Sequence, residues 1–132
     1  MKYFDSNFFI YATINNGKIG RWARTIIKEM IVGKISAVTS TLTYDEFFWK
    51  VKREKGFKAA IIATEALLEM PNLRFLPVND EVVWKSFELI KNFKLDPRDS
   101  IHAACALLHG VFTIVTGDKD FDKIDEITRE WI

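Results

Sequence analysis

At 132 residues, 48% hydrophobic, 14% aromatic and 28% charged, the chain has the size and composition of one folded domain over residues 1–132, neither disordered nor fibrous. Its single cysteine, Cys105, excludes an intrachain disulfide and a multi-cysteine zinc site, which suits a reducing, cytoplasmic setting. The formal charge is only +1, from 19 basic and 18 acidic residues, so charge alone gives no pull toward nucleic acid; no stretch is long enough to span a membrane, and Asp5, Ser6 and Asn7 interrupt the apolar N-terminus in a way that argues against a signal peptide.

The chain opens on a short strand, Lys2 to Phe4, followed by mixed apolar residues to Ala12 and a polar turn at Asn15, Asn16 and Gly17. A helix is predicted from Trp22 to Val32, stopped by Gly33, and then a second strand from Lys34 to Thr39. Thr43-Tyr44-Asp45-Glu46 has the spacing of a capping box, with Thr43 as N-cap and Glu46 at the third helical position, and this helix runs to Lys55 before Gly56. Another helix, Phe57 to Met70, ends before Pro71, and Leu73 to Val78 alternates like a strand. Asp80 caps a helix through Phe93, in which Val83, Phe87 and Ile90 recur at helical spacing and are predicted to face the core. Asp96 and Pro97 start the next helix, the apolar run Ile101 to Leu108 carries it to Gly110, and a strand from Val111 to Thr116 precedes a last short helix reaching Trp131. Strands alternating with helices give an α/β fold, with a mostly parallel central sheet flanked by helices.

In such sheets ligands bind beyond the carboxyl ends of the strands. Asp5 and Asp118 lie just past strand ends, and Glu46 and Asp99 fall in the first turns of helices, so all four can reach one rim. Each has a local alternative. Glu46 completes a capping box, Asp99 favours a helix dipole, Asp118 suits a turn after Gly117, and Asp5 can cap a strand end. Asp5 and Asp99, however, stand against long apolar stretches, where an unpaired charge is costly. Lys2 and Arg98 are the nearest fixed cations and offer a structural ion pair instead. If the four acids converge, unit charges about 4 Å apart repel by roughly 4 kcal/mol per pair at an effective dielectric near 20, so a cation must hold them, and a divalent metal is the natural candidate.

Other features carry less. Asp118-Lys119-Asp120-Phe121-Asp122 begins like a calcium loop but has Lys123 in place of the turn glycine and Arg129 in place of the bidentate glutamate; Asp120 is expected nearer the site and Asp122 on the surface. His102 and His109 lack zinc-protease spacing and are predicted as core or surface residues, and Cys105 between them as a packed thiol. Gly17-Lys18-Ile19-Gly20 matches no nucleotide-binding glycine pattern. Trp49, Lys50, Lys52, Arg53 and Lys55 form a basic, partly aromatic stretch that fits a solvated helix face or a nucleic-acid contact.

In order and spacing the acids and their neighbours resemble the PIN-domain nucleases, especially the small VapC-type toxins of toxin-antitoxin pairs. Tyr3-Phe4-Asp5-Ser6-Asn7 is similar to the first motif of that family, Thr43-Tyr44-Asp45-Glu46 to the second, Pro97-Arg98-Asp99-Ser100-Ile101-His102-Ala103-Ala104 to the third, with Ser100 where alanine is more usual, and Thr116-Gly117-Asp118-Lys119-Asp120-Phe121 to the fourth. The resemblance spans essentially the whole chain and leaves the fourth acid as Asp118 or Asp120. It implies a ribonuclease dependent on Mg²⁺ or Mn²⁺, with Asp5, Glu46, Asp99 and Asp118 as the catalytic and metal-binding acids, Glu46 holding the metal or orienting its water, and Ser6, Thr116 and Asp120 supporting them. It also implies an RNA substrate, an antitoxin partner and a homodimer. The competing classes are a catalytically silent RNA-binding or scaffold module of the same fold, and an acidic pocket filled by Lys or Arg.

Overall fold

The computed structural model describes residues 1–132 as a parallel sheet between two layers of helices. In chain order the elements are β1 (Lys2–Phe4), α1 (Ser6–Ile14), α2 (Lys18–Ile31), β2 (Ala37–Ser40), α3 (Thr41–Lys55), α4 (Phe57–Leu68), β3 (Leu73–Leu76), α5 (Asp80–Phe93), α6 (Pro97–Leu108), β4 (Thr113–Val115), a 3₁₀ turn (Lys119–Lys123) and β5 (Thr128–Glu130). The strands run in the order β3-β2-β1-β4-β5, every pairing parallel.

Alternation along the strands sorts the core into two halves, because successive side chains point to opposite faces. Tyr3, Val38 and Ile114 pack with α5, α6 and the 3₁₀ turn through Val82, Leu89, Ala103 and Phe121. Their neighbours Phe4, Ala37 and Val115 pack on the other face with α1 to α4 through Phe8, Phe9, Met30, Phe47 and Leu67. The sheet is therefore covered on both sides, as parallel sheets require.

Several elements differ from the sequence expectation. Ser6–Ile14 is a full helix, which the unbroken apolar run concealed: Phe8 and Phe9 are buried and Ile10 and Tyr11 half-buried, so no polar face marks the period. Helix α2 begins four residues before Trp22, and its end behaves as predicted, with Gly33 at a positive φ of 84°. Helix α5 is capped by Asn79, whose side chain accepts from the Val82 N–H, rather than by Asp80; Val82, Ser86 and Leu89 form its buried face, while Val83 and Phe87 are exposed. The segment before Trp131 is not a helix but β5, a short polar edge strand paired with β4.

Gly20 is required by close packing rather than by a phosphate. A Cβ there would lie 2.0 Å from the backbone oxygen of Asn15, where the first turn of α2 meets the end of α1. No helix is long and apolar enough to cross a membrane.

Candidate active site

The chain runs from β1 to β2 and β3 on one side of the sheet and returns to β4 and β5 on the other, so strand order reverses between β1 and β4. A crevice opens at the carboxyl ends of strands at such a reversal. Asp5 follows β1 directly, its N–H donating to the Val115 carbonyl at 3.1 Å, and Thr116 to Asp118 follow β4. Asp5 is buried and caps α1. Its Oδ1 accepts from the Ser6 N–H at 2.7 Å and the Ser6 hydroxyl at 3.4 Å, and its Oδ2 accepts from the Thr116 hydroxyl at 2.8 Å. Ser6 and Thr116 thus hold this carboxylate, and Thr116 Oγ1 also accepts from the Asp118 N–H at 3.1 Å, linking the two strand ends.

Glu46 does not form the capping box. Ser40 is the N-cap of α3, which puts Thr43 inside the first turn, where its hydroxyl pairs with that of Thr39 at 2.6 Å. Glu46 lies one turn further in and faces His102, whose Nε2 is 2.5 Å from Glu46 Oε1 and 3.3 Å from Asp5 Oδ1. The other ring nitrogen, Nδ1, lies 2.6 Å from the Tyr3 hydroxyl.

His102 was expected to be an ordinary core or surface histidine. It is buried, but it is the hub that joins β1, α3 and α6 beneath the acids. The sequence signal was its position three residues after Asp99 on one helix, a spacing that puts both on the same edge of α6. Burial opposes a charge on His102, but Asp5, then Glu46 and Asp99 outweigh it and raise its pKa. Burial likewise works to raise Glu46, and here the His102 hydrogen bond and charge, with smaller help from Ser6 and Arg98, bring it below the usual range. Burial holds the Tyr3 phenol well above its ordinary value, so it stays protonated. Tyr3 therefore donates to Nδ1 when the ring is neutral and accepts when it is charged; in both cases Nε2 keeps the proton that Glu46 accepts.

Asp99, Asp118 and Asp120 form the second half of the rim, each offering an oxygen within 4.8 Å of the others. Asp99 is the third residue of α6, whose N-cap Asp96 makes no side-chain capping bond. Burial, then the charge and hydrogen bond of Asp118, then the charge of Asp5 push the Asp99 carboxyl up to about 7. Asp118 closes a tight turn by accepting from the Asp120 N–H at 2.9 Å, and Asp120 also pairs with Lys123 at 3.3 Å. Asp122 is exposed and held by Arg129 through two bonds of 2.9 and 3.2 Å. No lysine or arginine neutralises Asp5, Glu46, Asp99 or Asp118: Lys2 pairs with Glu130, and Arg98 makes no ion pair.

The donor set is one of hard carboxylate oxygens, the chemistry that suits a divalent cation retaining several waters. Beside Glu46 a cleft of about 240 Å³ is lined by Ser6, Ile10, Asp45, Trp49, Lys50 and Arg98. Elsewhere on α6, Cys105 is the buried thiol expected, its pKa raised to about 11 by burial, and the Ser100 hydroxyl is satisfied by Ser86 at 2.6 Å.

Solved structures share this architecture. VapBC2 from Rickettsia felis, bound to a DNA fragment from its promoter, has a TM-score of 0.79 at 16% identity over 100% of both chains. VapC20 from Mycobacterium tuberculosis, a sarcin-ricin loop cleaving toxin, has a TM-score of 0.75 at 17% identity, covering 92% of this chain and 93% of that one. VapBC-1 from nontypeable Haemophilus influenzae has a TM-score of 0.71 at 23% identity, covering 98% and 97%. At these identities the likeness is one of fold. No curated protein matches by sequence. The PIN domain family profile matches residues 2–127, nearly the whole chain, and the chain belongs to the PIN domain family.

Proposed function

We propose that this protein is a divalent-metal-dependent endoribonuclease, acting in the cytoplasm as the toxin of a toxin-antitoxin pair. The observation that carries the reading is the pair of acidic groups at the β1/β4 reversal, Asp5 and Glu46 around His102 and Asp99, Asp118 and Asp120 beside them, with no lysine or arginine paired to Asp99 or Asp118. The toxin assignment is supported by structural neighbours that are toxin-antitoxin proteins, one of them a sarcin-ricin loop cleaving toxin. By that analogy an antitoxin and a second copy of the chain are the expected protein partners.

Asp5, Asp99 and Asp118 are the residues that would hold Mg²⁺ or Mn²⁺, with Asp120 beside them. The ion supplies Lewis-acid activation of a water and charge compensation for a phosphodiester. The chain's own contribution is preorganisation: Ser6 and Thr116 fix Asp5, and His102 fixes Glu46 at the wall of the cleft, where it would orient an attacking water.

The purified chain is expected to cleave RNA with Mn²⁺ or Mg²⁺ and to stop on addition of EDTA or on Asp5→Asn or Asp99→Asn substitution. Cleavage that survives all three overturns the proposal. Anomalous scattering from a crystal soaked in Mn²⁺ provides a readout independent of activity.

A further inference from the structure

Glu46, Trp49, Lys50 and Arg53 recur at i, i+3, i+4 and i+7 on α3, so they share one face that leads outward from the acids over about 10 Å of helix. Trp49 is 57% exposed, an unusual position for a large indole next to a polar centre. It forms part of the wall of the 240 Å³ cleft with Glu46, Lys50 and Arg98. The Arg53 guanidinium lies 4.8 Å from its ring centroid, a cation on the aromatic face that positions the indole. Arg98, at the second helical position of α6, faces the same cleft and makes no ion pair of its own.

A merely solvated helix face accounts for the lysines and arginines. It does not account for an exposed indole and an unpaired arginine lining the same cleft as Glu46. Aromatic surface for a base and cationic groups for the flanking phosphates are the two elements that single-stranded nucleic acid requires. Asp45 and Glu46 line the cleft against Lys50 and Arg98, and Lys50 is also tied to Glu54 at 3.3 Å, so Arg98 is the one cation of the lining without an ion pair.

We infer that this cleft is a nucleotide subsite: Trp49 stacks an unpaired base next to the scissile phosphate, with Arg98 as the cation for the adjoining backbone. The inference rests on the nuclease reading and narrows its substrate class, since a base can meet the indole only if it is unstacked, as in a single strand or loop and not within a duplex.

The test uses a dye-labelled 12-nucleotide single-stranded RNA of mixed sequence. Binding is followed by anisotropy with Ca²⁺, and cleavage kinetics with Mn²⁺. Trp49→Ala is expected to weaken binding about 5- to 100-fold and to raise KM more than it lowers kcat, at unchanged melting temperature. Trp49→Phe should recover most of the loss. Trp84→Ala, which removes an indole 72% exposed on α5, should change nothing. Annealing the RNA to its complement should remove the difference between wild type and Trp49→Ala. Equal binding and KM for wild type and Trp49→Ala overturns the subsite, leaves the nuclease reading intact and assigns the exposed indole to a protein contact. If the wild type neither binds nor cleaves the RNA, the nuclease reading itself fails and the subsite with it.

Discussion

His102 and Glu46, 56 residues apart in sequence, meet at 2.5 Å between Nε2 and Oε1. The contact ties α6 to α3, and the Tyr3 hydroxyl on the opposite nitrogen ties both to the central strand. Groups that orient ligands in this way are commonly worth 10- to 100-fold in metal affinity or activity. His102→Ala is therefore expected to lower both cleavage rate and Mn²⁺ affinity by about that factor. Tyr3→Phe, which keeps the ring packing but frees Nδ1, should cost less. Calorimetric Mn²⁺ titration of the two variants checks the order; a His102→Ala protein with wild-type Mn²⁺ affinity would show that Glu46 and Asp5 need no such support.

Asp118 and Asp120 can be separated by substitution. Asparagine at 118 can still accept from the Asp120 N–H and so keep the turn, whereas its charge is lost. Asp118→Asn should fold normally and lose cleavage by about two orders of magnitude. Asp120→Asn loses only an exposed pair with Lys123, of marginal energetic value, and should retain most activity. The reverse ranking in the same RNA-cleavage assay would make Asp120 the fourth acid.

The Asp99 carboxyl titrates at about 7 in the folded chain against 3.8 for an ordinary aspartate. Its folded state binds the proton more tightly than the unfolded state, so its contribution to stability is complete below about pH 4 and is lost as the pH rises to about 7. In EDTA the melting temperature of wild type should fall relative to Asp99→Asn across that interval. Mn²⁺ binding near pH 6 should release a proton, detectable by calorimetry in buffers of different ionisation enthalpy. Parallel melting curves for the two proteins from pH 4 to 7 would contradict the shift.

Ser86 and Ser100 share a buried hydrogen bond of 2.6 Å between α5 and α6. Alanine substitution is expected to cost about 1–3 kcal/mol at Ser100 and about 0.5–1.5 kcal/mol at Ser86. Ser100→Ala strands the Ser86 hydroxyl, while Ser86→Ala leaves Ser100 its bond to the Pro97 carbonyl at 2.8 Å. The double variant should be more stable than the sum of the single losses. Urea denaturation of all four proteins measures the coupling, and strict additivity would refute it.

Gly20→Ala should be among the most disruptive single substitutions outside the site, since backbone rather than a movable side chain blocks the new Cβ at 2.0 Å. Gly117→Ala is the milder comparison. Its Cβ would lie 3.0 Å from the Trp131 ring, so the cost depends on how far that indole and the Asp118 turn can shift. Thermal melts rank the two.

Much of the fold was legible because its cues are local. Gly33 and Gly56 end helices where their positive φ values, 84° and 95°, allow them to, and Pro97 starts α6 at its first residue. Asp5 and Asp118 could be placed at one edge because each follows a strand. What escaped depends on tertiary context. Helix α1 is wrapped in apolar residues and shows no stripe, while β5 is three polar residues that become a strand only by pairing with β4. Val83 and Phe87 keep helical spacing yet face outward, because periodicity marks a face without telling which face the sheet covers. His102 looked inert because both its partners are distant in sequence, and the capping-box spacing of Thr43 and Glu46 arose by coincidence once the helix began at Thr41.

The central position of β1 divides the rim mechanically. Asp5 extends a strand paired on both sides, so releasing it requires opening the middle of the sheet. Asp118 and Asp120 hang from a five-residue 3₁₀ turn beside the polar edge strand, where opening free energies are ordinarily lowest. Amide hydrogen exchange should accordingly be slow at Phe4 and Asp5 and fast through Asp120 to Lys123. A cation held by Asp5 and Asp118 together would suture the loose edge to the fixed centre, and protection should then rise in the turn alone.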